Sequence, residues 1–267
     1  MKKIIAALMV AVLTLTMFAA CSKKDGDVSA ETATQGYVAK QPDFPSKEGT
    51  KDFSNESGKV VYQVKYKVPE LSGEKYSEAT AAIFNNYIEQ NFLEPVFDFA
   101  EINVKNVREN ETEPRKIEIS YEIKYLSDNI LSVVFSTAYS SQNKMLNAKT
   151  FNLVEGTVIN GEEFFGNDKE TVRKAVLEYF LPYATNLIVR TDDMTDEEVE
   201  TLAAEKLAEA YEPANIYIRD SYIAFVCNKA KFAEGVGAGA GVHEFILDWN
   251  TANTLGALSN PEDIFAK

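Results

Sequence analysis

The 267-residue chain is 45% hydrophobic, 11% aromatic and 25% charged, a globular balance that excludes wholesale disorder, a collagen-like repeat and a many-span membrane protein. Its 27 basic and 41 acidic residues leave a net charge of −14, with one histidine. Nucleic-acid binding through a basic surface and the usual multi-histidine metal site are therefore not expected, and no cofactor motif is present. Two cysteines, Cys21 and Cys227, cannot build a disulfide scaffold.

Lys2 and Lys3 precede an apolar run from Ile4 to Ala20 that closes with Phe18-Ala19-Ala20-Cys21. This pattern predicts a signal peptide over residues 1–20 ending in a lipobox, and hence a lipoprotein. Small Ala19 and Ala20 would let a peptidase reach the backbone, and the Cys21 thiol would carry a diacylglycerol, with palmitate among its acyl chains. Phe18 stands where leucine is usual. The alternative is a transmembrane anchor, because the 17-residue run, softened only by Thr14 and Thr16, reaches the short edge of the roughly 17–25 that a spanning helix needs. Residues 21–57 are polar, contain Pro42 and Pro45, and read as a lipidated cysteine followed by a flexible tether. Removing residues 1–20 leaves 25 positive against 41 negative charges, a net of −16. Such a domain is repelled by anionic lipid, an effect that Lys23 and Lys24 partly offset. The expected location is the cell envelope, on the periplasmic or exterior side of a membrane held through the N-terminal lipid.

From residue 58 the chain reads as one domain, 58–267. Val60 to Val68 is a strand with Tyr62, Val64, Tyr66 and Val68 on one face, stopped by Pro69. An amphipathic helix follows from about Ser77 to Phe99, kinked at Pro95. Ile117, Ile119, Tyr121, Ile123 and Tyr125 then alternate with polar residues, and Ser127-Asp128-Asn129 turns the chain into Ile130–Tyr139, a hairpin. A third strand spans Ala148–Val154. These three strands predict a meander with one polar face, backed on the other by helices. Helices are expected over Asp168–Val189, bent or ended near Pro182, and from Thr195, whose Thr195-Asp196-Glu197-Glu198 has the capping-box pattern, to Tyr211. Strands Ile216–Arg219, Tyr222–Cys227 and Val242–Trp249 close the chain. The expected class is α+β, a predominantly antiparallel sheet packed against helices, in the order βα-βββ-αα-βββ.

Ile119 to Tyr125 and Leu131 to Ser136, followed by Lys149-Thr150-Phe151-Asn152-Leu153, Gly161-Glu162-Glu163-Phe164-Phe165 and Phe232 through Gly241, resemble a bacterial extracytoplasmic domain family. That family includes the sensor domain of a lysozyme-responsive anti-sigma factor and the N-terminal domain of a Bacillus peptidoglycan deacetylase. The resemblance spans about residues 58–267 and implies an envelope-facing recognition module. In the family, the loop after the second hairpin strand usually carries a Gly-Gly-Ala-His motif. Here Ser140 to Asn147 stands in its place, so that histidine's role does not transfer. Neither an anti-sigma segment nor a deacetylase domain with metal-binding histidines accompanies the module in these residues.

Three places hold candidate ligand-binding residues. The first is the loop at Asn143, Lys144 and Met145. The second is a run in which Gly235, Gly237, Gly239 and Gly241 alternate with small residues. A strand rather than a helix follows that run, which argues against a phosphate loop and leaves a binding loop or a close backbone connection. The third is His243, sharing a strand face with Phe245, Leu247 and Trp249 as a core or rim residue. A hydrolase built on His243 is the alternative, with no nucleophile-elbow motif to support it. Cys227, in an apolar run, reads as a small buried hydrophobe. Six carboxylates between Asp192 and Glu200 do not match a calcium-loop spacing and read as a solvated helix start that would attract a cationic partner. The expected function is a lipid-anchored, non-catalytic binding module of the cell envelope, taking a lysozyme-like cationic protein or a peptidoglycan glycan. The alternative is an envelope hydrolase acting on a cell-wall polymer.

Overall fold

The computed structural model describes residues 43–108, 110–140, 144–228, 242–258 and 260–266. Nine strands form two sheets among these residues. The larger has the order β1-β2-β3-β4-β5-β6, made of Ser46–Ser54, Val60–Pro69, Arg115–Leu126, Ile130–Ala138, Lys144–Asn152 and Thr157–Ile159. Every neighbouring pair is antiparallel except β2 and β3, which run parallel. A parallel pair needs a crossover, and helices α1 (Glu78–Ile88) and α2 (Glu94–Asn103) supply it. The smaller sheet has the order β7-β8-β9, made of Ile216–Arg219, Tyr222–Asn228 and Val242–Asp248. Helices α3 (Lys169–Thr185) and α4 (Asp196–Ala210) pack on it, and a short α5 (Trp249–Thr254) follows β9. The α+β class and the antiparallel character follow the expectation.

The segment expected to be tether through residue 57 is structured from Asp43 onward. Strand β1 pairs along its whole length with β2, and Phe53 is 7% exposed in the core beneath α2. Phe44 packs against the same core. Only Phe53 of the nine β1 residues is buried, so the strand has almost no apolar periodicity; its extended state comes from the hydrogen bonds that β2 offers.

Ser77 caps α1 by accepting from the Thr80 amide at 3.0 Å. The single helix expected through Phe99 is two, joined by a π-turn over Glu89–Leu93. Pro95 has no N–H to donate one turn back, and the Glu94 amide donates to the Glu89 carbonyl across the widened turn. The extra residue lets Phe92 and Leu93, neighbours in sequence, both reach the sheet, with Phe92 stacked on Phe135 at 3.7 Å. Pro182 does not end α3, which continues to Thr185. Thr195 and Glu198 form the predicted capping box.

The predicted polar outer face of the meander is corrected at β4. Its odd residues Leu131, Val133 and Phe135 face α1 and α2, while the even residues Ser132, Val134 and Ser136 are also buried, beneath the smaller sheet. The joint between the sheets is polar. The Ile218 amide donates to Ser132 Oγ at 2.9 Å, Ser132 Oγ lies 2.9 Å from Thr150 Oγ1, and Thr150 donates to the Ile216 carbonyl at 3.3 Å. With both ends fixed, the Ser132 hydroxyl donates to Thr150 and every group is satisfied. Asn215 extends the joint, accepting from the Ala148 amide and donating to the Val226 carbonyl, each at 2.7 Å. Gly156, at φ 78°, turns β5 into β6 against α1, where any Cβ would lie 2.4 Å from the Thr80 carbonyl oxygen.

Two outcomes are expected. Limited proteolysis should stop near Asp43 rather than Gly58, and Phe53→Ala should cost about 3 kcal/mol in urea denaturation. Asn215→Ala strands a buried amide and a buried carbonyl, so a loss of about 2–4 kcal/mol is expected. A change under about 0.5 kcal/mol would show that water replaces the side chain.

Candidate functional site

A concavity that includes His243 lies where the C-terminal turns of α3 meet β9. Helix α3 buries Val172, Val176, Phe180 and Ala184 at four-residue intervals, so its apolar stripe lies on β8 and β9. Phe180 sits 5.7 Å from Phe225 and 5.1 Å from Phe245, ring centroid to centroid. Past Phe180 the buried stripe continues through Ala184 and Ile188, while Tyr183 beside it is exposed. Tyr183, Asn186 and Leu187 then form one wall of a groove of about 410 Å³ whose other wall is His243, Glu244, Phe245 and Ile246.

Along β9 the residues alternate as the sequence predicts. Phe245 and Leu247 are buried, while Glu244, Ile246 and Asp248 are exposed. His243 is half-buried on the groove side and its carbonyl accepts a weak S–H bond from Cys227 at 3.7 Å. Trp249 starts α5 instead of ending the strand, and its indole donates to the Arg219 carbonyl at 3.0 Å. Glu244 also belongs to a second polar group on the opposite face of the small sheet. Burial first, then Tyr222 and Glu244, hold the Tyr217 phenol far above its ordinary range. Nearby, Glu122 pairs with Lys124 at 2.7 Å and approaches Arg219 at 3.8 Å. Sequence reasoning does not find Tyr183, Leu187, Tyr217 or Glu122. They lie far from His243 in the chain, and only the alternation of polar residues on β3 and β7 hints at a second surface.

The other candidates disperse. Lys144 and Met145 are not in a loop but in β5, opposite Ala138 and Thr137, and neither lines the groove. Met145 is 48% exposed. The expected strand start at Ala148 moves to Lys144 because the β4 ladder continues to Ala138. Cys21, Asn143, Gly235, Gly237, Gly239 and Gly241 lie outside the described residues. In the acidic run, Asp196 pairs with Arg190 at 2.7 Å, Asp193 accepts from Thr191 at 2.6 Å and Glu198 caps α4. Half of its carboxylates thus serve local turns. Among the described residues no three His, Cys, Asp or Glu side chains gather as a metal site, and no helix is long and apolar enough to cross a membrane.

Cys227 is 6% exposed, in the core beneath α3. Burial pushes its thiol up to about 12 from an ordinary 9.0, which is the opposite of nucleophile activation. Tyr211 behaves alike: burial and the Glu162 carboxylate, 3.3 Å away, raise its phenol.

No protein-family model and no curated protein matches the chain. Solved structures similar to it include two described as DUF3298 family proteins. One is a member of the DUF3298 family from Bacteroides fragilis, with 13% identity over 84% of this chain and 98% of that chain and a TM-score of 0.43. The other is a DUF3298 family protein from Pseudomonas aeruginosa, with 8% identity over 81% and 98% and a TM-score of 0.42.

The Cys227 geometry fixes a pH dependence. The folded pKa is raised, so the associated stability is complete below about pH 9 and is lost as pH climbs toward 12. Urea denaturation at about pH 7.5, 9 and 10.5 should show the natural protein losing stability more steeply than Cys227→Ala. Parallel curves would mean that the thiol is solvated.

Proposed function

We propose that the protein is a lipid-anchored binding module of the bacterial cell envelope whose ligand is a cationic protein. The observation that carries the reading is the groove between α3 and β9, whose apolar lining includes Tyr183 and Leu187, with the exposed Glu244 and Ile246 on the opposite face of the same strand, on a chain whose net charge is −14. An exported acidic domain attracts basic partners through its long-range field, and an apolar groove then holds what the field delivers. The lipobox at Ala19-Ala20-Cys21 supports the anchor. The resemblance to a lysozyme-sensing domain supports a lysozyme-like partner, with peptidoglycan as the other ligand that the same resemblance suggests.

A hydrolase reading would centre on His243, because that residue lines the groove. Among the described lining residues none is serine, threonine or cysteine, so binding is the better-supported reading. Loss of a cell-wall-degrading activity in a folded His243→Ala protein would reverse that order.

Two measurements test the proposal. Mass spectrometry of the membrane fraction should find Cys21 acylated, and Cys21→Ser should release the protein from the membrane; an unmodified Cys21 removes the anchor from the proposal. Surface plasmon resonance with lysozyme should give saturable binding whose association rate falls as salt rises from about 0.01 to 0.15 M, since the Debye length shrinks from about 30 Å to about 8 Å. Neutralising Asp192, Asp193, Asp196 and Glu197 should slow association, with dissociation little changed. Binding to cell-wall fragments with none to lysozyme would make the ligand a glycan.

A further inference from the structure

A sheet edge carries a row of free N–H and C=O groups, and proteins usually blunt such edges with lysine, proline, a bulge or sheer shortness. Two of the four sheet edges described here are protected in these ways and a third is covered. Strand β1 carries Lys47 and Lys51 and a register shift at Phe53/Ser54. Strand β6 has three residues. The outer edge of β7 is occupied by Ser132 and Thr150. Strand β9 has seven residues, Val-His-Glu-Phe-Ile-Leu-Asp, with no lysine, proline or glycine and no register shift against β8. No described strand pairs with its other side.

The backbone phase says which groups that edge offers. The Trp249 amide donates to the Ser221 carbonyl at 3.2 Å, so the hydrogen-bonded partners continue as Ile223 with Leu247 and Phe225 with Phe245. Glu244 and Ile246 therefore turn their N–H and C=O outward, into the groove that they help to line.

We propose that the β9 edge is a strand-addition site for an extended segment of a partner protein in which apolar residues alternate with lysine or arginine. A strand laid beside β9 sends alternate side chains to opposite faces. On the α3 face they meet Tyr183, which is 56% exposed, and Leu187. On the other face they lie beside Glu244 and Asp248, two exposed carboxylates flanking Ile246, which is 48% exposed. Among the described residues no lysine or arginine lines the groove, so the cations come from the partner. A second copy of the chain fits less well. Antiparallel pairing about Ile246 would set Glu244 opposite the other copy's Asp248, and like charges directly opposite are destabilising. The inference rests on the protein-partner reading above and specifies which segment of that partner is held.

The test uses a capped hexapeptide alternating valine and lysine, titrated into the full chain and followed by isothermal calorimetry and amide chemical shifts. The expected result is saturable binding, with shifts centred on Glu244 to Asp248. Methylating the peptide amides that face β9 should abolish binding. Ile246→Pro removes an outward N–H and leaves the β8 ladder intact, and Glu244→Lys reverses the rim charge. Each should raise Kd by about tenfold or more with unchanged melting temperature. Should Ile246→Pro fail to fold, Glu244→Lys and the methylated peptide still decide. Binding that is indifferent to peptide methylation, shifts centred elsewhere, or a concentration-dependent dimer abolished by Glu244→Lys would overturn the proposal. If lysozyme binds but the peptide does not, strand addition falls and the protein-partner reading stands; if neither binds, both fall.

Discussion

The hydroxyl relay from Ile218 through Ser132 and Thr150 to Ile216 is the contact on which the rest of the structure depends. It buries the outer edge of one sheet against the face of another, a place where bare backbone groups would each cost about 1–3 kcal/mol. Both hydroxyls are fully buried, and both are used as donor and acceptor. The net gain over two apolar residues is small. What the relay supplies is registration: a one-residue slip of β7 would present the wrong faces to both cores. Asn215 performs the same service for β5 and β8, standing in for a strand where β6 has ended.

Once β7 is fixed, the rest of the small sheet follows. Ile216, Ile218, Ile223, Phe225, Phe245 and Leu247 turn toward α3 and α4, and Tyr217, Ala224 and Val226 turn toward Val134 and Ala148. Strand β9 lies furthest from the joint, and the flank of α3 beside its buried stripe, at Tyr183 and Leu187, faces it across the groove.

Legible in the sequence are those elements whose periodicity is complete within themselves. Strand β3 alternates from Ile117 to Tyr125, Thr195 to Glu198 spells its own cap, and β7, β8 and β9 appear within a residue or two of their observed ends. Strand β1 is invisible because eight of its nine residues are not buried and its conformation is imposed by β2. Strand β6 is too short to show a period. The double burial of β4 is hidden because Ser132 and Ser136 look like surface residues until the second sheet is placed over them. The candidate site is half legible: alternation alone puts His243 on the correct strand face, whereas its opposing wall at Tyr183 and Leu187 depends on how far α3 reaches in three dimensions. Lys144 and Met145 read as loop because Asn147, Lys144 and the preceding serines resemble turn residues, although the β4 ladder holds them extended.

The widened turn at Glu89–Leu93 also sets the phase of everything after it. Each residue of an α-helix advances the side chains by about 100°, so the angular position of Val96 and Ala100 over the sheet depends on the number of residues between them and Ile88. Gln90 and Asn91 are exposed, and replacing either changes little of the packing. Deleting either would remove the extra residue and let the turn close to an ordinary α-helical one, which leaves Val96 and Ala100 over the core. At these two positions the chain is indifferent to side-chain identity and can lose one residue, whereas a further insertion would turn Val96 and Ala100 about 100° away from the sheet.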